Sequence, residues 1–243
     1  MGKLVAQNYR TATIFSKYDI DFCSKGEKTI DEVCLNKGID TEHLLERLNE
    51  VMNTTDSQDI DYQSWSLELL ADHIENTHHQ YVKRNIPTLL EYLNKLCKVH
   101  GRRHPELYKI NDLFKETATH LNHHMIMEET TLFPIVRKMT KNLEADINLV
   151  LPDFGSVENP ISKMMQEHDN EGENFKKIAT LSNNFTPPND ACATYKVTFS
   201  LLKEFEADLL LHIHLENNIL FPKAIAIEKG IVGNDNLAFF SNN

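Results

Sequence analysis

Two stretches of the chain repeat the pattern His-x-x-x-Glu-x-x-x-Leu-Phe-Pro, and this repeat constrains the fold more than any other feature of the sequence. The first copy begins with His124 and Glu128, and the second begins 88 residues later with His212 and Glu216. Positions i and i+4 lie on one face of an α-helix, so each copy presents an imidazole and a carboxylate side by side. The repeat therefore predicts two related helices in two halves of one chain.

A histidine precedes each copy at nearly the same distance. His79 lies 45 residues before His124, and His168 lies 44 residues before His212. Each half of the chain then supplies one histidine from one helix and a His-x-x-x-Glu pair from the next. His78 lies next to His79, and the spacing alone fits either of these two residues.

Hydrophobic spacing predicts an all-α protein with four long amphipathic segments, at about residues 65–98, 105–140, 157–181 and 190–228. Such segments with short connections are typical of a four-helix bundle. The chain has only 8 Gly and 8 Pro, which disfavours an all-β fold. Pro87 is expected to kink or break the first segment.

The beginning of the chain predicts a separate, small helical domain. Thr29 and Glu32 have the spacing of a capping box at the start of a short helix, and a second amphipathic helix begins at Thr41. A polar stretch follows, which is typical of a linker. We therefore expect an N-terminal domain at residues 1–55 and a bundle domain at residues 64–230.

Packing the four long helices face to face brings six candidate metal ligands to the centre of the bundle. They are four histidines and two glutamates: His79, His124, Glu128, His168, His212 and Glu216. Two metal ions would then receive two histidines each, with both glutamates available to bridge them. Imidazole and carboxylate ligands suit iron, zinc or manganese, and bridging carboxylates favour a pair of irons. The alternative is a repeat kept for packing alone, in which buried His and Glu would cost several kcal/mol.

The surroundings of these ligands also yield expectations. A metal-bound imidazole usually donates its second N–H to an acceptor. The candidate acceptors are Asp208, Glu167 and Asp169. His214 follows His212 by two residues, so it faces away from the site and is expected at the surface.

Composition excludes several classes of function. The net charge of -11 argues against a nucleic-acid binder or a polybasic membrane reader. The four cysteines are scattered without a CxxC pair, which indicates neither a zinc ribbon nor a disulfide framework. No apolar run reaches the ~20 residues that span a membrane, and the segment MGKLVAQNYRTATIF lacks the apolar stretch of a secretory signal. We therefore expect a cytoplasmic protein.

Several segments together resemble a known family. The two repeat copies, the phrase MQEHDNEGE around His168, the loop NNFTPPNDAC and the N-terminal segment IFSKYDIDFCSKGEKTIDEVC are similar to those of the iron-sulfur cluster repair di-iron proteins, the repair of iron centres family. The resemblance covers nearly the whole chain. It implies a hemerythrin-like four-helix bundle preceded by a small helical N-terminal domain.

The resemblance also implies a function and a set of ligands. Family members are cytoplasmic and help to restore iron-sulfur clusters damaged by oxidative or nitrosative stress, with iron supply as their proposed activity. Two irons per monomer, joined by an oxo or hydroxo bridge, would be bound by the six residues named above, with His79 chosen over His78. The implied partners are damaged iron-sulfur proteins, an external electron donor and a second copy in a homodimer, with neither nucleic acid nor membrane.

One position departs from the family pattern. The family typically has two adjacent cysteines in its N-terminal domain, whereas here Cys23 is followed by Ser24. Cys34 lies eleven residues further on and could substitute only if the fold brings it near. Cys23 is the candidate redox thiol; the alternative is a small buried hydrophobic residue.

Two other functions fit the same pair of metals. Reduction of nitric oxide or peroxide would need electrons from outside, because the sequence has no flavin or nicotinamide motif. Reversible binding of oxygen or nitric oxide would make the protein a sensor, although such sensors commonly adjoin a signalling domain and none is visible.

Overall fold

A computed structural model of the chain describes residues 1–8, 10–18, 20–22, 26–52, 60–144 and 155–230. Every regular element in these residues is helical, which confirms the predicted all-α class. None of the described helices combines the length and the apolar character needed to cross a membrane.

The elements follow the predicted segments closely. The α-helices are α1 (Gly2–Gln7), α2 (Arg10–Lys17), α3 (Ile30–Lys37), α4 (Thr41–Met52), α5 (Leu67–His73), α6 (Gln80–His100), α7 (Glu106–Met127), α8 (Phe133–Glu144), α9 (Glu158–Leu181), α10 (Ala193–Leu215) and α11 (Phe221–Glu228). Between them, the described residues contain π-helical turns at Ile74–His79, Glu128–Leu132 and Glu216–Leu220, and a short 3-10 turn at Tyr62–Ser64. Pro87 lies within α6, and the helix continues through it without a break.

Local signals set the helix ends near the N-terminus. The Thr29 hydroxyl accepts a hydrogen bond from the Glu32 backbone N–H, and the Glu32 carboxylate accepts one from Thr29, so the predicted capping box is confirmed. Helix α3 ends before Gly38, whose φ of 65° lies in the left-handed region that favours glycine. Helix α4 begins at Thr41, as predicted.

The Leu-Phe-Pro part of each repeat copy marks the end of a π turn. The Phe133 backbone N–H donates to the Glu128 carbonyl five residues earlier, and Phe221 donates in the same way to Glu216. A proline follows each phenylalanine in the first turn of the next α-helix, where its missing N–H costs little. Single π turns of this kind are rare in proteins overall, and those that occur are often found at functional sites.

The chain divides into two compact units. The first unit comprises Met1–Ala71, Val136–Val157 and Ile213–Asn243, and the second comprises Asp72–Ile135 and Glu158–His212. The domain boundaries expected from the sequence, 1–55 and 64–230, stay a prediction.

In the second unit, helices α6, α7, α9 and α10 pack as a bundle around Phe205. This fully buried ring of α10 has its centroid 6.0 Å from that of Tyr81 in α6, 5.4 Å from that of Phe114 in α7 and 5.5 Å from that of Phe175 in α9. One aromatic side chain therefore packs against all three other helices, at separations where aromatic pairs attract.

In the first unit, the N-terminus is fixed by backbone contacts. The Met1 amine donates hydrogen bonds to the carbonyls of Gly26 and Lys28, at 2.9 and 3.0 Å. Gly2 and Gly26 lie so close together that a Cβ added to Gly26 would stand 2.9 Å from the Gly2 Cα and 2.8 Å from the Asn218 Oδ1. Gly26 is therefore required at its position because of this close backbone approach.

Candidate metal centre

Five of the six predicted ligands lie together in the second unit. Each is at most 1% exposed: His79, His124, Glu128, His168 and His212. The ligand atoms of His79, Glu128 and His212 all lie within 4.8 Å of one another, and the same holds for His124, Glu128 and His168. Each group could hold one metal ion, and Glu128 belongs to both groups.

The Glu128 carboxylate turns its two oxygens toward different imidazoles. Its Oε1 lies 3.1 Å from the His124 Nε2, and its Oε2 lies 3.4 Å from the His79 Nε2. The Nε2 of His168 lies 3.0 Å from the Nε2 of His124. This arrangement is that of a carboxylate able to bridge two metal ions.

The sixth predicted ligand, Glu216, belongs to the first unit and is fully buried. It follows His212 by one turn of a continuous helical run and is the first residue of a π turn. Glu128 has the same relation to His124 and also begins a π turn. The two repeat copies thus share their local structure as well as their sequence.

Two carboxylates outside the ligand groups orient the histidines. The Glu129 Oε1 lies 2.8 Å from the His79 Nδ1, and the Glu167 Oε2 lies 3.1 Å from the His124 Nδ1. Because a carboxylate accepts, each Nδ1 carries a proton, and the Nε2 is the atom through which each neutral imidazole could bind a metal ion. Glu167 was a predicted acceptor and is confirmed. Glu129 was missed, although it directly follows Glu128 in the sequence.

The carboxylates around His124 stabilise positive charge at this imidazole. Burial alone would disfavour a charged imidazole, but the carboxylates of Glu128, Glu167 and Glu171 outweigh it and raise the pKa of His124 well above its usual value. A bound metal ion would supply that positive charge in place of a proton. Imidazole and carboxylate donors, buried and converging, fit iron.

Glu171 is a functional candidate that sequence reasoning missed. It lies on α9 three residues after His168 and is only 1% exposed. Carboxylates are rarely buried to this degree unless they are paired or coordinate metals. Its position one turn from a predicted ligand, on the same helix, was the signal that could have found it.

Asp208, another predicted acceptor, has a different partner. Its Oδ1 lies 2.9 Å from the Nδ1 of His78, which is itself only 2% exposed. Of the two adjacent histidines, His79 belongs to a ligand group and His78 is held by Asp208. The third predicted acceptor, Asp169, is exposed.

The expectation that His214 lies at the surface was wrong. His214 is 1% exposed, its Nδ1 lies 3.2 Å from the Asn218 amide nitrogen, and its ring packs edge-on against Phe22 at 5.8 Å. Burial lowers its pKa to about 4, so this imidazole is neutral. His214 instead lies in the core of the first unit, where it contacts Phe22 and Asn218.

The candidate thiol, Cys23, lies outside the described residues. Of the described cysteines, Cys34 and Cys97 are buried, Cys192 is exposed, and none forms a disulfide.

Known proteins match both parts of the chain. The family model of the Hemerythrin HHE cation binding domain matches residues 70–224, and that of a Domain of Unknown function (DUF542) matches residues 1–52. The iron-sulfur cluster repair protein ScdA of Staphylococcus haemolyticus is 30% identical over 223 residues, which cover 92% of this chain and 96% of the relative. A probable iron-sulfur cluster repair protein of Haemophilus influenzae is 31% identical over 213 residues, 87% of this chain and 90% of the relative. The iron-sulfur cluster repair protein YtfE of Escherichia coli O8 is 31% identical over 229 residues, 94% of this chain and 97% of the relative.

Proposed function

Since this chain belongs to the iron-sulfur cluster repair proteins with a hemerythrin HHE cation binding domain, we propose that it binds a pair of irons and supplies iron to iron-sulfur clusters damaged by oxidative or nitrosative stress. The observation that carries this proposal is the position of Glu128, whose two oxygens face imidazoles of two different ligand groups. Carboxylates from facing helices hold paired metals in other helical bundles.

The proposed ligands divide into two sets. His79, Glu128 and His212 would hold one iron, and His124, Glu128 and His168 would hold the other. Glu216 would be the second shared carboxylate, with an oxo or hydroxo bridge between the irons. Its burial and its place one turn after His212 support this role, because positions i and i+4 share a helix face.

The charges of these ligands support reversible iron binding. The four imidazoles are neutral when they coordinate, so the two glutamates offset only half of the charge on a pair of Fe(II) ions. A ligand set that offsets only part of the iron charge can release an iron to a protein that binds it more tightly.

Bound iron would supply Lewis-acid and redox chemistry at this centre. The protein residues keep the ligands oriented and shield them from water. Glu129 and Glu167 fix the tautomers of His79 and His124 through their Nδ1 atoms. Lys83 in turn holds the Glu129 carboxylate, with its Nζ 2.7 and 2.9 Å from the two oxygens.

The proposed partners are damaged iron-sulfur proteins, an external electron donor and a second copy of this chain in a homodimer. We place the protein in the cytoplasm, where thiols stay reduced, and the free state of Cys34, Cys97 and Cys192 supports this location.

Iron content and iron transfer test the proposal together. After anaerobic reconstitution, the wild-type protein should hold about two irons per monomer, and His124→Ala should hold about one or fewer. His120→Ala is the matched control, because His120 is exposed one turn earlier on α7. The loaded wild-type protein should then reactivate a purified [4Fe–4S] enzyme that peroxide has damaged, and His124→Ala should do so poorly.

Three results would contradict this function. Iron content well below two in the wild type, or both irons kept by His124→Ala, would refute the paired centre. A fully loaded protein that transfers no iron would refute the donor role, and consumption of nitric oxide with an added electron donor would then favour a reductase.

A further inference from the structure

His78 and Asp208 form a buried imidazole–carboxylate pair that the proposed ligand set does not use. The His78 Nδ1 donates to the Asp208 Oδ1 at 2.9 Å, and the side chains are 2% and 17% exposed. The His78 Nε2 is buried and has no hydrogen-bond partner among the described residues. Because the Nδ1 carries the proton, this Nε2 holds a lone pair, which is the state that binds a metal.

The pair lies between the ligand groups and the protein surface. On the inner side, the His78 ring stacks on the ring of His212, with centroids 5.7 Å apart and planes 8° from parallel. On the outer side, His73 packs edge-on against His78 at 5.5 Å and is partly exposed. His212 and His78 are at most 2% exposed, whereas Asp208 and His73 are partly exposed, so these groups run from the ligand group toward the surface.

The π turn at Ile74–His79 explains how two consecutive histidines are both buried. In a regular α-helix, neighbouring residues point about 100° apart, so one of them usually faces outward. The wider turn lets His79 join the ligand group while His78 stays at its edge. Both side chains are at most 2% exposed.

We propose that His78, held in place by Asp208, forms a transit site that passes iron between the paired centre and solvent, with His73 at its outer end. This inference rests on the proposed iron-donor function. One protein ligand, the His78 Nε2, with water completing the coordination sphere binds Fe(II) weakly, as a transit site must, and Asp208 orients that ligand through the Nδ1. The pair therefore governs the rate of iron exchange and leaves the occupancy of the resident centre unchanged.

Iron release from the loaded, full-length protein tests this role. Fe(II) capture by ferrozine under anaerobic conditions gives the release rate, while iron content and the Mössbauer spectrum report on the resident centre. In His78→Phe, release should slow by about tenfold or more with content and spectrum unchanged, and Asp208→Asn should slow it less. His120→Phe and Asp112→Asn are controls on exposed positions of α7 and should release iron at the wild-type rate.

The outcomes separate this inference from the function on which it rests. Release within about twofold of the wild type in both His78→Phe and Asp208→Asn, with native circular dichroism, would overturn the transit site. Loss of one resident iron in these variants would also overturn it, since His78 would then be a resident ligand. His78→Gln replaces His78→Phe if the latter fails to fold. A wild type that binds no iron pair would instead refute the proposed function.

Discussion

The two carboxylates that orient histidines should each control a different iron. Glu129 supports His79, which groups with Glu128 and His212, and Glu167 supports His124 in the other group. Glu129→Gln should therefore weaken one metal position, and Glu167→Gln the other. The amide keeps an acceptor oxygen for the Nδ1 proton but loses the negative charge that makes the imidazole a better ligand.

The size of each effect follows from the contacts. Removal of a carboxylate that supports a metal-bound histidine typically costs 10–100-fold in affinity, or about 1.4–2.8 kcal/mol. Glu129→Gln should lie at the upper end, because its hydrogen bond to His79 is the shorter one, 2.8 Å against 3.1 Å. The same change also removes the carboxylate that pairs with the Lys83 ammonium group. The positive charge of Lys83 would then oppose the binding of a metal cation at this position.

Anaerobic Fe(II) titration against a competing chelator measures the two affinities, and Mössbauer spectra show which iron is lost. Far-UV circular dichroism of the metal-free proteins verifies the fold. Glu173→Gln serves as the control, because Glu173 is an exposed carboxylate on α9, two turns or less from Glu167. Equal weakening of both irons by each variant, or changes below about threefold in both, would refute the assignment of one carboxylate to each position.

Two further predictions concern stability. Phe205→Ala should lower the free energy of unfolding of the metal-free protein by about 3–5 kcal/mol in urea titrations, because it empties the centre of the bundle; a loss below about 1 kcal/mol would contradict that position. Lys223 donates to the carbonyl of Trp65 at 2.8 Å, and burial lowers its pKa from 10.5 to about 8. Between pH 8 and pH 10.5 the unfolded chain binds more protons than the native one, so the free energy of unfolding of the wild type should rise with pH relative to that of Lys223→Met. A difference between the two proteins that stays flat or falls over this range would contradict the burial of Lys223.

The sequence determined the local structure and the candidate ligands. Helical spacing and the scarcity of glycine and proline were enough for the all-α class, and Thr29 with Glu32 marked a helix start correctly. The repeat was enough to select His124 and Glu128, since residues four apart share a helix face wherever the helix packs. These predictions depend only on residues close together in the chain, because helix geometry relates such residues in the same way wherever the helix packs.

The tertiary structure decided which groups meet across the bundle. Glu129 lies 50 residues from His79 in the chain, and Asp208 lies 130 residues from His78, so no local spacing relates them. The burial of His214 likewise depends on Phe22, nearly two hundred positions earlier. A periodic pattern shows that a residue faces away from a site, but only packing decides whether that direction leads to water or into another core. The sequence therefore selected the candidate ligands, and the tertiary structure decided which carboxylates orient them.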